Sequence, residues 1–234
     1  MTISLTPKKI LTIFLSIIAI LLCANILGLV SRFVFDHDYV FGIIGLFDFN
    51  TEKNIPTFYS SIALIIASLL LLFITSIQKN ENLPFILWGI LSFIFLFLSI
   101  DEISSIHEKL NTPIKNTVDA TGLFYFAWVI PYGLALIAFA VSYLKFLLVL
   151  PKRIMWLFIL SGSTFVLGAI GFEMLGGWQA EQNGNRGLLY AIFYTFEELL
   201  EMLGVALFIY TLLEYILIKK KSLNISLTSA TKEV

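Results

Sequence analysis

The sequence predicts an all-α, polytopic membrane helix bundle of six transmembrane helices with both termini cytoplasmic, and three observations lead there. Hydrophobic residues make up 59% of the chain and charged residues 13%, with a mean hydropathy of +0.93. Soluble domains carry about 25% charged residues, so this composition suits lipid rather than water. Six apolar runs reach the ~20 residues that a helix needs to cross a bilayer core. Lys and Arg fall unevenly between alternate loops, nine against five, and the richer side is expected inside.

The first run, about 10–32, follows Lys8 and Lys9 as a signal peptide would. It stays apolar to about Val30, too long for a signal core, and no small-residue cleavage site follows, so it reads as an uncleaved span. Cys23, the one cysteine, rules out intrachain disulfides and thiolate metal cages. Leu22 is too large for a lipoprotein cleavage site, so Cys23 is expected to be buried and inert.

The loop of about 33–57 is the longest external one and the most acidic, with Asp36, Asp38, Asp48 and Glu52. Asp48, Asn50, Glu52 and Asn54 alternate like the start of a calcium loop. Lys53 stands where such a loop needs glycine and Tyr59 where it needs the final glutamate. A helix cap and turn ahead of Pro56 is therefore expected.

Spans two to six are predicted at about 58–78, 84–108, 122–148, 154–177 and 187–218. Pro84 suits a helix start, Pro131 is expected to kink the fourth span, and Gly176-Gly177 to close the fifth. Residues 1–221 form one domain in this reading, and the polar segment 222–234 a flexible cytoplasmic tail. An inverted three-plus-three repeat fails, because Asp101 and Glu102 come late in span three whereas Glu197 and Glu198 come early in span six.

Seven carboxylates lie within or at the ends of these spans: Asp101, Glu102, Glu108, Glu173, Glu197, Glu198 and Glu201. Ionised groups in hydrocarbon are costly and mark ion paths, proton relays or metals. At a rise of ~1.5 Å per residue, Asp101 and Glu173 lie roughly 25 and 28 Å from the inner ends of their spans. Glu197 and Glu201 lie roughly 15–21 Å from the outer end of theirs. All these groups thus fall near the midplane or in the outer half, as one shared site requires.

On continuous helices, Asp101 and Glu108 share a stripe flanked by Ser104 and Ser105, while Glu102 and His107 point away from it. Glu197 and Glu201 form an i, i+4 pair whose stripe continues through Tyr190 and Tyr194. Like charges so placed need a cation or a shared proton. Glu102 and Glu108 also suit the headgroup level, where they would simply end a helix. Lys109 is expected to pair with a nearby acid.

Carboxylates with one imidazole suit a divalent metal such as Mg, Ca, Mn or Fe, and the lack of cysteine disfavours softer ions. The di-iron pattern of Glu-x-x-His on two helices is not met. HExxH, GxSxG, P-loop and GxGxxG motifs are absent. A net charge of −1 gives no reason to expect nucleic acid.

Four stretches, LFDFNTEKNIPTFYSS (46–61), LSIDEISSIHE (98–108), GFEMLGG (171–177) and FEELLEMLG (196–204), resemble a group of uncharacterised bacterial multi-pass membrane proteins with similar acidic blocks. The resemblance implies a bacterial inner-membrane protein and carries no activity with it.

Three readings follow. The leading one is an outward-facing metal site, as of a membrane enzyme acting on an amphiphile. Its candidate ligands are Glu197, Glu198, Glu201, Asp101, Glu173 and His107, with Glu102, Glu108, Tyr194, Ser104 and Ser105 as secondary candidates. The second is a proton- or cation-coupled transporter. The third is a structural or sensor protein whose acids are protonated interhelical glue.

Overall fold

A computed structural model describes residues 6–219, so the expected tail at 222–234 lies outside the described residues. The described chain is helical, and six helices are long and apolar enough to cross a membrane. These are α1 (Pro7–Val34), α3 (Ile55–Asn80), α4 (Ile86–Ser104), α7 (Val129–Val149), the fifth span Lys152–Asn183, and α10 (Leu188–Lys219). The fifth span consists of α8 (Lys152–Val166), a π-helical segment (Leu167–Phe172) and α9 (Glu173–Asn183). Short helices α2 (Ile43–Phe47), α5 (Ile106–Lys109) and α6 (Asn111–Lys115) fill the loops at one end of the bundle.

Local chemistry explains most of the boundaries. Thr6 caps α1 by accepting the Lys9 N–H at 3.3 Å, and Pro7 opens that helix, where its missing N–H costs nothing. Asn54 caps α3 by accepting the Thr57 N–H at 3.1 Å, so the turn before Pro56 is the cap expected of it.

Other boundaries differ from expectation. The third span stops at Ser104 because Ser105 adopts a left-handed conformation (φ 49°), and 106–109 form a separate turn. The fourth starts at Val129, which puts Pro131 in the first turn of α7 instead of at a kink. Gly176 and Gly177 do not end the fifth span; both are buried inside α9, Gly176 against Tyr190 and Gly177 against Phe126.

α10 is the axis of the bundle: 56% of its apolar window is buried, against none of that of α7. Its Ile209, Leu212 and Ile216 pack with Leu71 and Ile74 of α3, Trp88 of α4 and Ile154 of α8. Trp88 and Tyr215 stack at 4.8 Å. α3 and α4 are tied by two reciprocal serine pairs, Ser61–Ser99 and Ser68–Ser92, whose hydroxyls also donate to the partner's carbonyl. Small hydroxyls let the backbones approach and satisfy polar groups where water is absent. Cys23 is exposed rather than buried, beside the exposed Ile26 and Leu27 on the outward face of α1. Lipid suits such a face as well as a protein core does.

The loop between α1 and α3 folds back along α1. Asn25 accepts the Phe49 N–H at 3.1 Å, and Arg32 pairs with Asp48 at 2.8 Å and with Asp38 at 3.3 Å. Asn25 lies ~13 Å along α1 from Val34, so residues 48–54 sit beside the helices and not above them. Glu52 reaches the bundle interior for this reason.

Candidate metal centre

Side chains from five segments converge at the end of the bundle where α4 finishes and α10 begins. They are Glu52 before α3, Asp101 and Glu102 on α4, His107 and Glu108 on α5, Glu173 at the start of α9, and Glu197, Glu198 and Glu201 on α10. Glu102 interacts electrostatically with Glu198 and Glu52, and Glu201 with Glu102 and Glu173. The carboxyl groups of Glu173 and Glu197 lie next to each other. Glu173, Glu197, Glu198 and Glu201 are half-buried.

Two backbone devices bring these groups together. The left-handed turn at Ser105 folds α5 back on α4, and this reverses the expected stripe. His107, not Glu108, meets Asp101: its N–H donates to Asp101 Oδ1 at 2.9 Å, and its Nδ1 lies 3.2 Å from the same oxygen. The π-helical segment of the fifth span ends immediately before Glu173. Such a segment shifts the side chains that follow it around the helix axis. Gly168 in that segment permits the approach of α10, since a Cβ there would lie 2.6 Å from the Glu197 carbonyl oxygen.

Among the described residues, the group of three whose ligand atoms all lie within 4.8 Å of one another is Glu52, His107 and Glu108. Asp101 engages Nδ1 of His107, which leaves Nε2 for an ion. Asp101 is itself held by the Tyr132 hydroxyl, which donates to Oδ2 at 2.9 Å. The Trp128 ring lies 4.7 Å from that of His107, and its Nε1–H donates to Glu173 at 2.8 Å. A carboxylate behind a histidine, itself fixed by a phenol, is the support that metal-ligating imidazoles usually have.

The buried Oε2 of Glu52 has no hydrogen-bond partner among the described residues. Burial and the neighbouring Glu108 raise the Glu52 carboxyl above its ordinary range, with Asp101 adding to the effect. A cation would relieve both causes. For His107, burial alone disfavours the imidazolium. The hydrogen bond and charge of Asp101, helped by Glu173 and Glu52, outweigh burial and hold the ring above its ordinary range.

The remaining candidates separate by position. Tyr190 faces Glu173 and Glu197, whereas Tyr194 sits beside Asp48 and Arg32, its buried hydroxyl without a well-formed hydrogen bond. Ser104 bonds back to the Ile100 carbonyl, and Ser105 supplies the turn. Lys109 donates to the Ser104 carbonyl at 2.6 Å rather than pairing with an acid. Glu102 faces Glu198.

Sequence reasoning missed Glu52, Trp128 and Tyr132. For Glu52 a signal existed: it lies two residues before the cap of α3, which places it at the same end as Glu102 and His107. Comparison with characterised proteins and with solved structures returns no match. The chain belongs to the family described as Domain of unknown function (DUF8692), whose model matches residues 13–215 and so takes in every residue of the convergent acidic cluster.

Proposed function

We propose that the protein binds a divalent cation, of the Mg, Ca, Mn or Fe type, between Glu52, His107 and Glu108. The observation that carries this reading is the convergence of their ligand atoms within 4.8 Å, with Nδ1 of His107 oriented by Asp101. Two carboxylates and one imidazole form a hard-to-borderline ligand set that leaves coordination positions open for water or substrate.

The deeper acids have a complementary role. A divalent cation held there would supply Lewis-acid chemistry, and nearby carboxyls would accept the protons such chemistry releases. Glu173 and Glu197 lie next to each other, and Glu198 and Glu201 continue the row of carboxyls along α10, so proton acceptors are at hand. Together with the basic-residue balance, this favours a metal-dependent enzyme of a bacterial inner membrane, its centre facing outward and acting on an amphiphile.

A second reading, cation- or proton-coupled transport, draws on the same run of carboxyls from Glu52 to Glu201. Beyond Glu201 the buried residues of α10 include Val205, Ala206, Phe208, Ile209 and Leu212, with Tyr210 and Thr211 as the polar side chains among them, and no further carboxyl group occurs on α10 until Glu214. Carboxyls gathered at one end of the bundle suit a centre better than a path.

Metal analysis of protein purified without chelator tests the proposal. One ion per chain is expected, lost in Glu52→Ala and His107→Ala while folding by circular dichroism persists. A metal-free wild-type protein that also fails to take up any of the four ions refutes it. Ion-dependent flux in proteoliposomes, abolished by Glu201→Gln, would favour transport instead.

A further inference from the structure

On the other side of the Glu52 turn, α1 and α3 diverge and leave a lateral groove of about 540 Å³. They touch where the Phe14 and Tyr59 rings meet edge to face at 6.1 Å. Ile13 and Ile17 line one wall, Phe58 and Ile62 the other, and Leu46 and Lys53 stand at one end. The four wall residues are exposed, so the groove opens sideways.

Lys53 is the charged residue in this apolar lining. Its backbone is held in the left-handed region (φ 62°) between Glu52 and the capping Asn54. Among the described residues it has no ion pair, whereas Arg32, on the same loop, is taken by Asp38 and Asp48. From Ile55 to Ile66 the groove runs ~16 Å along α3, close to the ~15 Å depth of one bilayer leaflet.

We infer that this groove seats one acyl chain of an anionic membrane lipid, its headgroup on Lys53. The lipid lies in the leaflet at the Glu52 end, and its headgroup stands one residue from the proposed ion centre. Apolar walls, leaflet-matched length and an unpaired cation at one end fit that occupant. A zwitterionic lipid would fill the walls equally but gain less at Lys53. The groove stands on its own geometry; the view that its lipid is the amphiphile presented to the centre rests on the proposed function.

The test is lipid retention by the full chain in nanodiscs of equal phosphatidylglycerol and phosphatidylcholine, read by native mass spectrometry after detergent extraction. Wild-type protein should retain phosphatidylglycerol about fivefold over phosphatidylcholine, the preference that one lysine confers. Lys53→Glu should abolish that preference. Ile62→Trp, which fills the groove from an exposed position, should release both lipids.

A preference unchanged in Lys53→Glu, or retention unchanged in Ile62→Trp, overturns the inference. Equal retention of the two lipids by the wild type overturns it as well. Repeating the measurement on chelator-stripped protein and on His107→Ala keeps the two proposals separable. The lipid preference should survive there, and Ile62→Trp, which lies away from the ion ligands, should lose lipid with its metal content unchanged.

Discussion

Gly168→Ala probes a close approach of the fifth span and α10 directly beside the acids. The added Cβ would lie 2.6 Å from the Glu197 carbonyl oxygen, 3.1 Å from the Glu201 amide nitrogen and 3.1 Å from the Glu201 Cγ. Ordinary contact begins near 3.4 Å, so the π-helical segment and α10 must separate by about 0.8 Å, and the nearest obstacle is backbone that cannot swing aside. Overpacking of this kind costs about 1–3 kcal/mol.

Gly162, on the same span, has nothing within 4 Å of its would-be Cβ. Gly162→Ala should therefore be neutral or stabilise by up to ~1 kcal/mol, the ordinary helical advantage of alanine. The assay is thermal unfolding of both variants in one detergent, alongside metal content. Gly168→Ala should melt several degrees below wild type and bind its ion more weakly, because Glu173 shifts with its helix and with it Trp128, which packs on His107. Gly162→Ala should do neither. Equal melting temperatures and equal ion retention in the two variants would refute the claim that this contact sets the site.

Two further predictions concern Asp101. Asp101→Asn removes the charge that orients His107, so metal affinity measured by competition with a chelating dye should fall about 10–100-fold; Tyr132→Phe, which leaves the carboxylate in place, should fall less. In metal-free protein the His107–Asp101 contact should make stability pH-dependent. The folded-state value of His107 is raised, so its contribution is complete below the ordinary ~6.5 and is lost as pH rises through the higher folded value. The melting-temperature gap between wild type and His107→Gln should therefore shrink from acid to alkaline pH, and a gap that widened would contradict the pairing.

The legible part of the site was its acids and its end of the bundle. Counting residues along each span placed Asp101, Glu173 and Glu197 at compatible depths, and the structure gathers them. Faces were less legible. A continuous helix through residue 108 sets Asp101 beside Glu108 and turns His107 away; one left-handed residue, Ser105, exchanges their places. Glu52 escaped because depth counting treats a loop as lying outside the spans, whereas this loop is drawn down alongside α1 by Asn25 and Arg32.

Apolar run length and the Lys/Arg balance reflect transfer between water and lipid, a property of each segment taken separately, so the sequence by itself determined the six spans and the presence of buried acids. Which acids meet, which nitrogen of His107 stays free and how Lys53 comes to stand at a groove depend on contacts between segments far apart in the chain. Those contacts were decided by tertiary structure, through a π-helical segment, a glycine at a backbone crossing and a loop folded back on its helix.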